Sequence, residues 1–110
     1  MARGGFPNMG GNMAQLMQRA QKMQQDMAKL QEELNARTFT ASSGGGMVTA
    51  TVYGTKLVES IKIDPACIDP DDAEMLEDLI VSAVNAAVAQ ATETVEKEMS
   101  RVTGGMNIGF

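Results

Sequence analysis

The chain has 110 residues, of which 44% are hydrophobic and 4% aromatic, and this fits one globular domain built largely from aliphatic and methionine side chains. Histidine is absent, which excludes Ser-His-Asp and Cys-His catalytic sites and zinc sites that need imidazole. The net charge of -5, taken alone, argues against a nucleic-acid partner.

The charge is unevenly distributed along the chain. Residues 1–63 carry seven Lys and Arg against four Asp and Glu, a balance of +3, whereas residues 64–110 carry two against ten, a balance of -8. One cysteine, no N-terminal apolar stretch and no run of about 18 apolar residues lead us to expect a cytoplasmic protein without a signal peptide or membrane span.

Residues 1–11 contain four glycines and a proline, and they predict a flexible tail. A first helix is predicted over 12–37, with Asn12 as its N-cap. Apolar residues then recur with a strict 4,3,4,3 spacing, which indicates a heptad seam; they are Met9, Met13, Leu16, Ala20, Met23, Met27, Leu30 and Leu34.

The first helix also carries a cationic stripe away from its seam. With Met13 at heptad position a, Arg19 falls at g, and Lys22 and Lys29 fall at c. Neighbouring glutamines can hydrogen-bond phosphate or base edges. The charge pattern alone leaves two interpretations open, which are an ordinary solvated helix face and a nucleic-acid contact.

Residues 38–64 predict three strands in an antiparallel meander. Thr, Val, Phe and Tyr suit a half-buried pleated surface, and the glycines at 44–46 and Gly54 supply the turns. A second helix is predicted over 70–102, with Asp69 as its N-cap and Pro70 at its first position, followed by a C-terminal tail at 103–110.

The acidic residues around this start are better explained by helix capping than by a metal, because they lack the spacing of a calcium loop. Gly54-Thr55-Lys56 lacks the other residues of a phosphate-binding loop, and Cys67 fits a small buried hydrophobe. We therefore expect no metal, cofactor, small-molecule substrate or enzymatic activity.

Both helices, at roughly 37 and 49 Å, exceed a sheet of strands about 23 Å long. Their apolar stripes would be left in water by a monomer, so we predict a homodimer. The contact residues expected for it are Met13, Leu16, Met23, Met27, Leu30, Ile80 and Val84. If the helices leave the sheet side by side, their free ends gather Arg3, Arg19 and Lys22 beside Lys97 and Arg101.

Several segments together resemble the YbaB/EbfC family of bacterial nucleoid-associated proteins. They are Ile61-Lys62-Ile63-Asp64-Pro65, the run from Glu74 to Ile80, Ala83-Val84-Asn85 and the closing Gly104-Gly105-Met106-Asn107-Ile108-Gly109-Phe110. The resemblance implies a single domain over 1–110, an α+β protomer of order α-β-β-β-α, and a tweezer-like dimer with two long projecting helices.

The resemblance also implies a non-enzymatic protein of the nucleoid that binds DNA and alters its conformation. The expected DNA contacts, transferred by position, are Arg19, Lys22 and Lys29 in the first helix and Lys97 and Arg101 in the second, with Arg3 added because it is expected at the free ends of the helices. Residues 85–94 carry no Lys or Arg, which weakens the case for the second helix. The alternative is a protein-interaction module whose seam binds a replication or repair protein.

Overall fold

The structure is a computed structural model that describes the backbone of residues 5–102 and the side chains of residues 12–102. Its elements follow the predicted order α-β-β-β-α, which confirms the fold class. They are α1 (Gly5–Ala36), β1 (Thr38–Ser43), β2 (Val48–Tyr53), β3 (Val58–Ile63) and α2 (Ala73–Val102). No helix within the described residues has the length and apolarity that a membrane crossing requires.

The three strands form one antiparallel sheet in the order β1-β2-β3. Phe39 pairs with Val52 and Ala41 with Ala50, while Ala50 in turn pairs with Ile61 on β3. Directly paired residues point to the same face of a sheet. This apolar row therefore forms one face, and the threonines of β1 and β2 form the other.

Helix α2 covers the apolar face by means of small residues. Ala83, Ala87 and Ala91 recur every four positions, have no exposed surface, and belong to one core with Val48 and Val52. Because alanine has only a methyl side chain, the helix backbone comes close to the sheet. The helix packs mainly across β1 and β2, so much of β3 is left uncovered.

Glycine is required at both hairpin turns. In the β1–β2 turn Gly44, Gly45 and Gly46 all have positive φ, at 60°, 67° and 97°, a region that residues with a Cβ rarely adopt. At Gly54, after β2, a Cβ would lie 1.9 Å from the carbonyl oxygen of Leu34. The close approach allows the Gly54 N–H to donate a 2.9 Å hydrogen bond to the Arg37 carbonyl, which ties the end of α1 to the sheet.

Both helices begin at residues other than those predicted. Helix α1 starts at Gly5 instead of residue 12, so much of the predicted tail is helical. Pro7 is compatible with this start because N–H groups in the first helical turn have no intrahelical acceptor. The predicted tails 1–4 and 103–110 lie outside the described residues.

The predicted cap of α2 at Asp69 is wrong. Helix α2 begins at Ala73, and the carboxylate of Asp72 accepts a 3.3 Å hydrogen bond from the Met75 N–H. Asp69 instead accepts from the Asp71 N–H at 2.9 Å and forms a turn that holds Pro70 outside the helix. Asp69 and Asp72 are both residues of the type that caps a helix N-terminus. Because Asp69 is used in the turn, Asp72 is the residue that caps α2.

Candidate nucleic-acid interface

Helix α1 runs antiparallel to α2 and extends well beyond its end. Gln31 and Asn35 line a cavity with Thr92 and Val95, and further toward the start of α1 Leu30 lines another with Arg101 and Val102. Helix α2 ends at Val102, whereas α1 continues back to Gly5 for about 37 Å more. The molecule is accordingly 87 Å long but only 25 and 16 Å across. We call residues 12–29 of α1 the arm.

The arm presents the predicted cations to solvent on one face. Arg19, Lys22 and Lys29 are all exposed. Gln15, Gln18, Arg19 and Lys22 are three, four and seven residues apart, a spacing that places them on one side of a helix. These four line a shallow groove of about 300 Å³. Lys29 lies two turns beyond Lys22 on the same side, and Asp26 is the acid that interrupts this cationic stripe.

The cations of α2 lie in a more acidic setting. Arg101 is exposed and forms an ion pair with Glu98 at 3.3 Å. Lys97 is exposed between Glu96 and Glu98 in the sequence. This helix therefore offers less net positive charge to a polyanion than the arm does.

The expected common tip of the two helices is wrong for the described residues. Arg101 lies beside Leu30, and Arg19 is eleven residues, or about 16 Å, further along α1. The two helices do leave the sheet side by side, but their ends do not coincide, because α2 stops where the arm begins. Arg3, also predicted at this tip, lies outside the described residues.

The opposite end of the molecule is strongly acidic. Helix α2 starts there, next to the end of β1, where the Ser43 hydroxyl donates a 2.6 Å hydrogen bond to the Leu79 carbonyl. Seven acids in the β3–α2 connection and the first turns of α2 are exposed; they are Asp64, Asp69, Asp71, Asp72, Glu74, Glu77 and Asp78. We call this group the acidic pole. Across the described residues, no group of acids is arranged to hold a metal ion.

Three carboxylates of the acidic pole have local structural roles. Asp64 accepts from the Ala66 N–H at 2.9 Å, Asp69 holds the following turn, and Asp72 caps α2. The bond of Asp72 places negative charge at the positive end of the α2 dipole. The acidic pole and the cationic arm therefore lie at opposite ends of an elongated molecule.

The residues predicted for a dimer contact fall on two separate surfaces. Met13 and Leu16 on the arm are each 57% exposed, and Met23, Met27 and Leu30 are half-buried on the same side of α1. Ile80 and Val84 are instead half-buried along the side of α2, at the level of the sheet. The predicted contact residues are therefore spread along the protomer, from the arm to the level of the sheet.

Sequence reasoning missed an apolar surface on β3. Val58 is 48% exposed and Ile61 39% exposed, although they pair with the buried Val52 and Ala50 and share their face. The flank of α2 that carries Val84 continues to Thr92 and Val95, which line a cavity with the β2–β3 turn and with Gln31 and Asn35 of α1, so this flank lies on the side of the molecule where β2 leads into β3. We call the space between this flank and β3 the root groove. The apolar alternation of β3 could have indicated an apolar face on this strand. It could not have indicated that the face is exposed, because that depends on where α2 lies.

The comparisons with known proteins agree with this arrangement of elements. The sequence profile of the YbaB/EbfC DNA-binding family matches residues 9–106. The chain belongs to the YbaB/EbfC family. The match spans both helices and the whole sheet, so it includes the arm and the acidic pole.

Relatives of this family member are bacterial nucleoid-associated proteins. It is 53% identical over 106 residues to a nucleoid-associated protein of Acetivibrio thermocellus, covering 96% of this chain and 94% of that one. It is 57% identical over 109 residues to one from Clostridium botulinum, covering 98% of this chain and 96% of the relative. Among solved structures, an uncharacterised protein from Helicobacter pylori aligns with a TM-score of 0.60 and 25% identity, covering 84% of this chain and 94% of the other.

Proposed function

We propose that this YbaB/EbfC protein is a nucleoid-associated protein that binds duplex DNA as a homodimer in the bacterial cytoplasm. It contacts DNA through the projecting arm, largely without regard to sequence, and alters DNA conformation in nucleoid organisation and gene regulation. The proposal involves no catalytic step, cofactor or membrane. The observation that carries it is the cationic stripe on the arm, at the opposite end of the molecule from the acidic pole.

Separation of charge is what makes DNA binding compatible with a net charge of -5. In salt near physiological strength, charges are screened beyond about 8–10 Å. The acidic pole lies several such lengths from Arg19, because the sheet and part of α1 stand between them. A phosphate backbone at the arm therefore experiences the local cations rather than the net charge of the chain.

The type of contact follows from the residues on the arm. Arg and Lys neutralise phosphates, and glutamine side chains hydrogen-bond phosphate or sugar oxygens. Such contacts position a protein on DNA without reading its sequence. We therefore expect discrimination between duplexes to come from their shape and stiffness rather than from base contacts.

The homodimer is supported by the apolar surfaces that one copy leaves exposed. The root groove is bordered by Val58 and Ile61 on β3, which are exposed, and by Ile80 and Val84 on α2, which are half-buried. A second copy can place its own α2 flank there and receive the same contact in return, which is the self-complementary geometry of a two-fold dimer. Complete burial of a fully exposed side chain of this size contributes about 1.5–3 kcal/mol, and these partly buried side chains each gain a fraction of that.

The DNA-binding proposal is tested by a mobility-shift titration on two duplexes of unrelated sequence. The wild-type protein should bind both with similar affinity, and Arg19→Glu with Lys22→Glu should weaken binding to both alike. A control variant, Glu74→Lys with Glu77→Lys, reverses two charges at the acidic pole. When it is added to the arm variant, it should not restore DNA binding. Absence of binding at low salt, or full binding by the arm variant, would contradict the proposal.

A further inference from the structure

The apolar seam of the arm has nothing packed on it in one copy of the chain. Helix α2 lies against this side of α1 only as far as Leu30. Beyond that point the seam continues through Met27, Met23, Ala20, Leu16 and Met13, and no other element of the described chain reaches the last two, each 57% exposed. We propose that the arms of two copies pair side by side in antiparallel orientation through this seam.

The charges beside the seam specify a second copy as the occupant. Arg19 and Asp26 both occupy heptad position g, one heptad apart. Both are exposed, and neither has an ion-pair partner among residues 12–102. In an antiparallel pair the g positions of one helix lie beside those of the other. Arg19 of each copy then lies beside Asp26 of the second copy, and one contact contains two such pairs.

Parallel pairing does not use these charges. In a parallel pair each g position lies beside an e position of the other helix. The e positions of this arm are Met17 and Gln24, followed by Gln31, and all three are uncharged. The charge pattern therefore favours the antiparallel orientation.

The same ion pairs fix the register of the two arms. When Arg19 lies beside Asp26 of the second copy, Ala20 packs against its Met23, and Leu16 packs against its Met27. Sliding by one heptad in one direction brings Arg19 beside its own counterpart. Sliding in the other direction brings Asp26 beside its own counterpart and Arg19 beside Glu33, but it carries the second arm past Leu30, where α2 already covers α1 and Leu34 is buried. Both shifted registers place like charges together, which is unfavourable. A single register is thus preferred.

The end of the seam has room for the residue that this register places there. Met13 of the second copy falls opposite Leu30, which lines an open cavity of about 320 Å³ with Glu98, Arg101 and Val102. A methionine side chain is unbranched and adapts to irregular gaps of this kind. The cavity at the end of α2 therefore continues the seam instead of obstructing it.

Arm pairing leaves Lys22 and Lys29 of the proposed DNA-binding face accessible, whereas Arg19 belongs to both contacts, and its ion pair with Asp26 of the second copy lowers the charge that it offers to a phosphate. Lys22 and Lys29 occupy position c, away from the seam, and Asp26 is offset by an arginine of the second copy. The root groove is a separate surface, so a chain that uses both contacts links more than two copies. This larger assembly depends on the proposed homodimer, whereas arm pairing itself requires neither DNA nor the root groove.

Disulfide trapping without DNA tests the orientation and register. Ala20→Cys and Met23→Cys are prepared as separate single variants, mixed under reducing conditions and then oxidised. Antiparallel pairing predicts a mixed disulfide between the two variants and little dimer from Ala20→Cys alone. The wild-type chain is the control, because its single Cys67 is buried. No mixed disulfide above this control, or efficient trapping of Ala20→Cys alone, would overturn the proposal.

Charge exchange provides the second test and separates pairing from DNA binding. In the trapping background, Arg19→Asp should lower the mixed disulfide at least threefold, and adding Asp26→Arg should restore it because opposite charges again face each other. Lys22→Asp, at position c, should leave trapping unchanged while weakening DNA binding. Failure of the exchange to restore trapping would contradict the register, whatever the DNA affinity of these variants.

Discussion

Leu30 of α1 and Arg101 of α2 line the same surface cavity, so α2 ends beside a residue from which α1 still has 25 residues to run. This offset creates the arm. It also separates the arm cations from those of α2, and it exposes the seam beyond Leu30. The position of one helix end therefore underlies both the proposed DNA contact and the proposed arm pairing.

The close approach at Gly54 predicts a large loss of stability on a minimal substitution. Gly54→Ala places a Cβ within 1.9 Å of the Leu34 carbonyl oxygen, a backbone atom that cannot move without shifting the end of α1. We expect a loss of about 3 kcal/mol in the free energy of unfolding, measured by chemical denaturation.

The matched control for this substitution is Gly45→Ala. A Cβ at Gly45 meets nothing within 4 Å, but the backbone φ is +67°, so the cost is the conformational one of roughly 1–2 kcal/mol. Equal losses for the two variants would show that contact with α1 does not restrict Gly54.

The stripe of alanines on α2 predicts that the helix cannot accept larger residues toward the sheet. Ala87 has no exposed surface, whereas its neighbour Ala86 is exposed. Ala87→Leu should lower the free energy of unfolding by about 1–3 kcal/mol through overpacking, and Ala86→Leu should change it little. Thermal and denaturant unfolding of both variants checks this, and a stable Ala87→Leu protein would contradict close helix–sheet packing.

The cap of α2 predicts different effects for neighbouring aspartates. Asp72 accepts the hydrogen bond from Met75, and Asp71 contributes only its backbone N–H to the preceding turn. Asp72→Ala should cost about 1 kcal/mol of folding stability, a typical value for the loss of an N-cap. Asp71→Ala removes a nearby charge of the same sign and serves as the control. A larger effect from Asp71→Ala would place the cap elsewhere.

The root groove predicts that a charge on β3 weakens the homodimer. Ile61→Asp introduces a carboxylate on the apolar face, where burial against a second copy would be unfavourable. The weight-average mass in sedimentation velocity should fall at least by about half, since a self-complementary contact joins copies two by two.

The control for this substitution is Lys62→Asp, because Lys62 pairs with Thr49 and lies on the other face of the sheet. It should leave the mass unchanged. An Ile61→Asp protein with the mass of the wild type would show that the dimer does not use the root groove.

The elements that sequence reasoning predicted well are those specified by local pattern. The residues of β1 and β2 alternate between apolar and polar, and the glycines at 44–46 and at Gly54 mark the turns on either side of β2. The seam that ends at Leu34 has an unbroken helical period. All of these signals lie within a few residues of one another. The family resemblance, carried by runs such as Ile61 to Pro65, extended this local evidence to the whole chain.

The relationships that were missed depend on how distant elements align. Helical period indicates which side of α1 faces the body but not where α2 stops beside it, and the cation cluster was misplaced for that reason. Likewise, the pattern of β3 shows that Ile61 is apolar but not that α2 lies over the other two strands. Competing caps at Asp69 and Asp72 were decided by a turn geometry that residue type alone does not determine.

The salt dependence of duplex DNA binding tests most directly whether the arm carries this activity. The logarithm of the association constant should fall linearly with the logarithm of salt concentration, with a slope set by the number of neutralised phosphates. Removing Arg19 and Lys22 together, as Arg19→Gln and Lys22→Gln, should reduce this slope by about two for each protomer in contact with DNA. An unchanged slope and affinity in this variant would show that DNA binds elsewhere on the molecule.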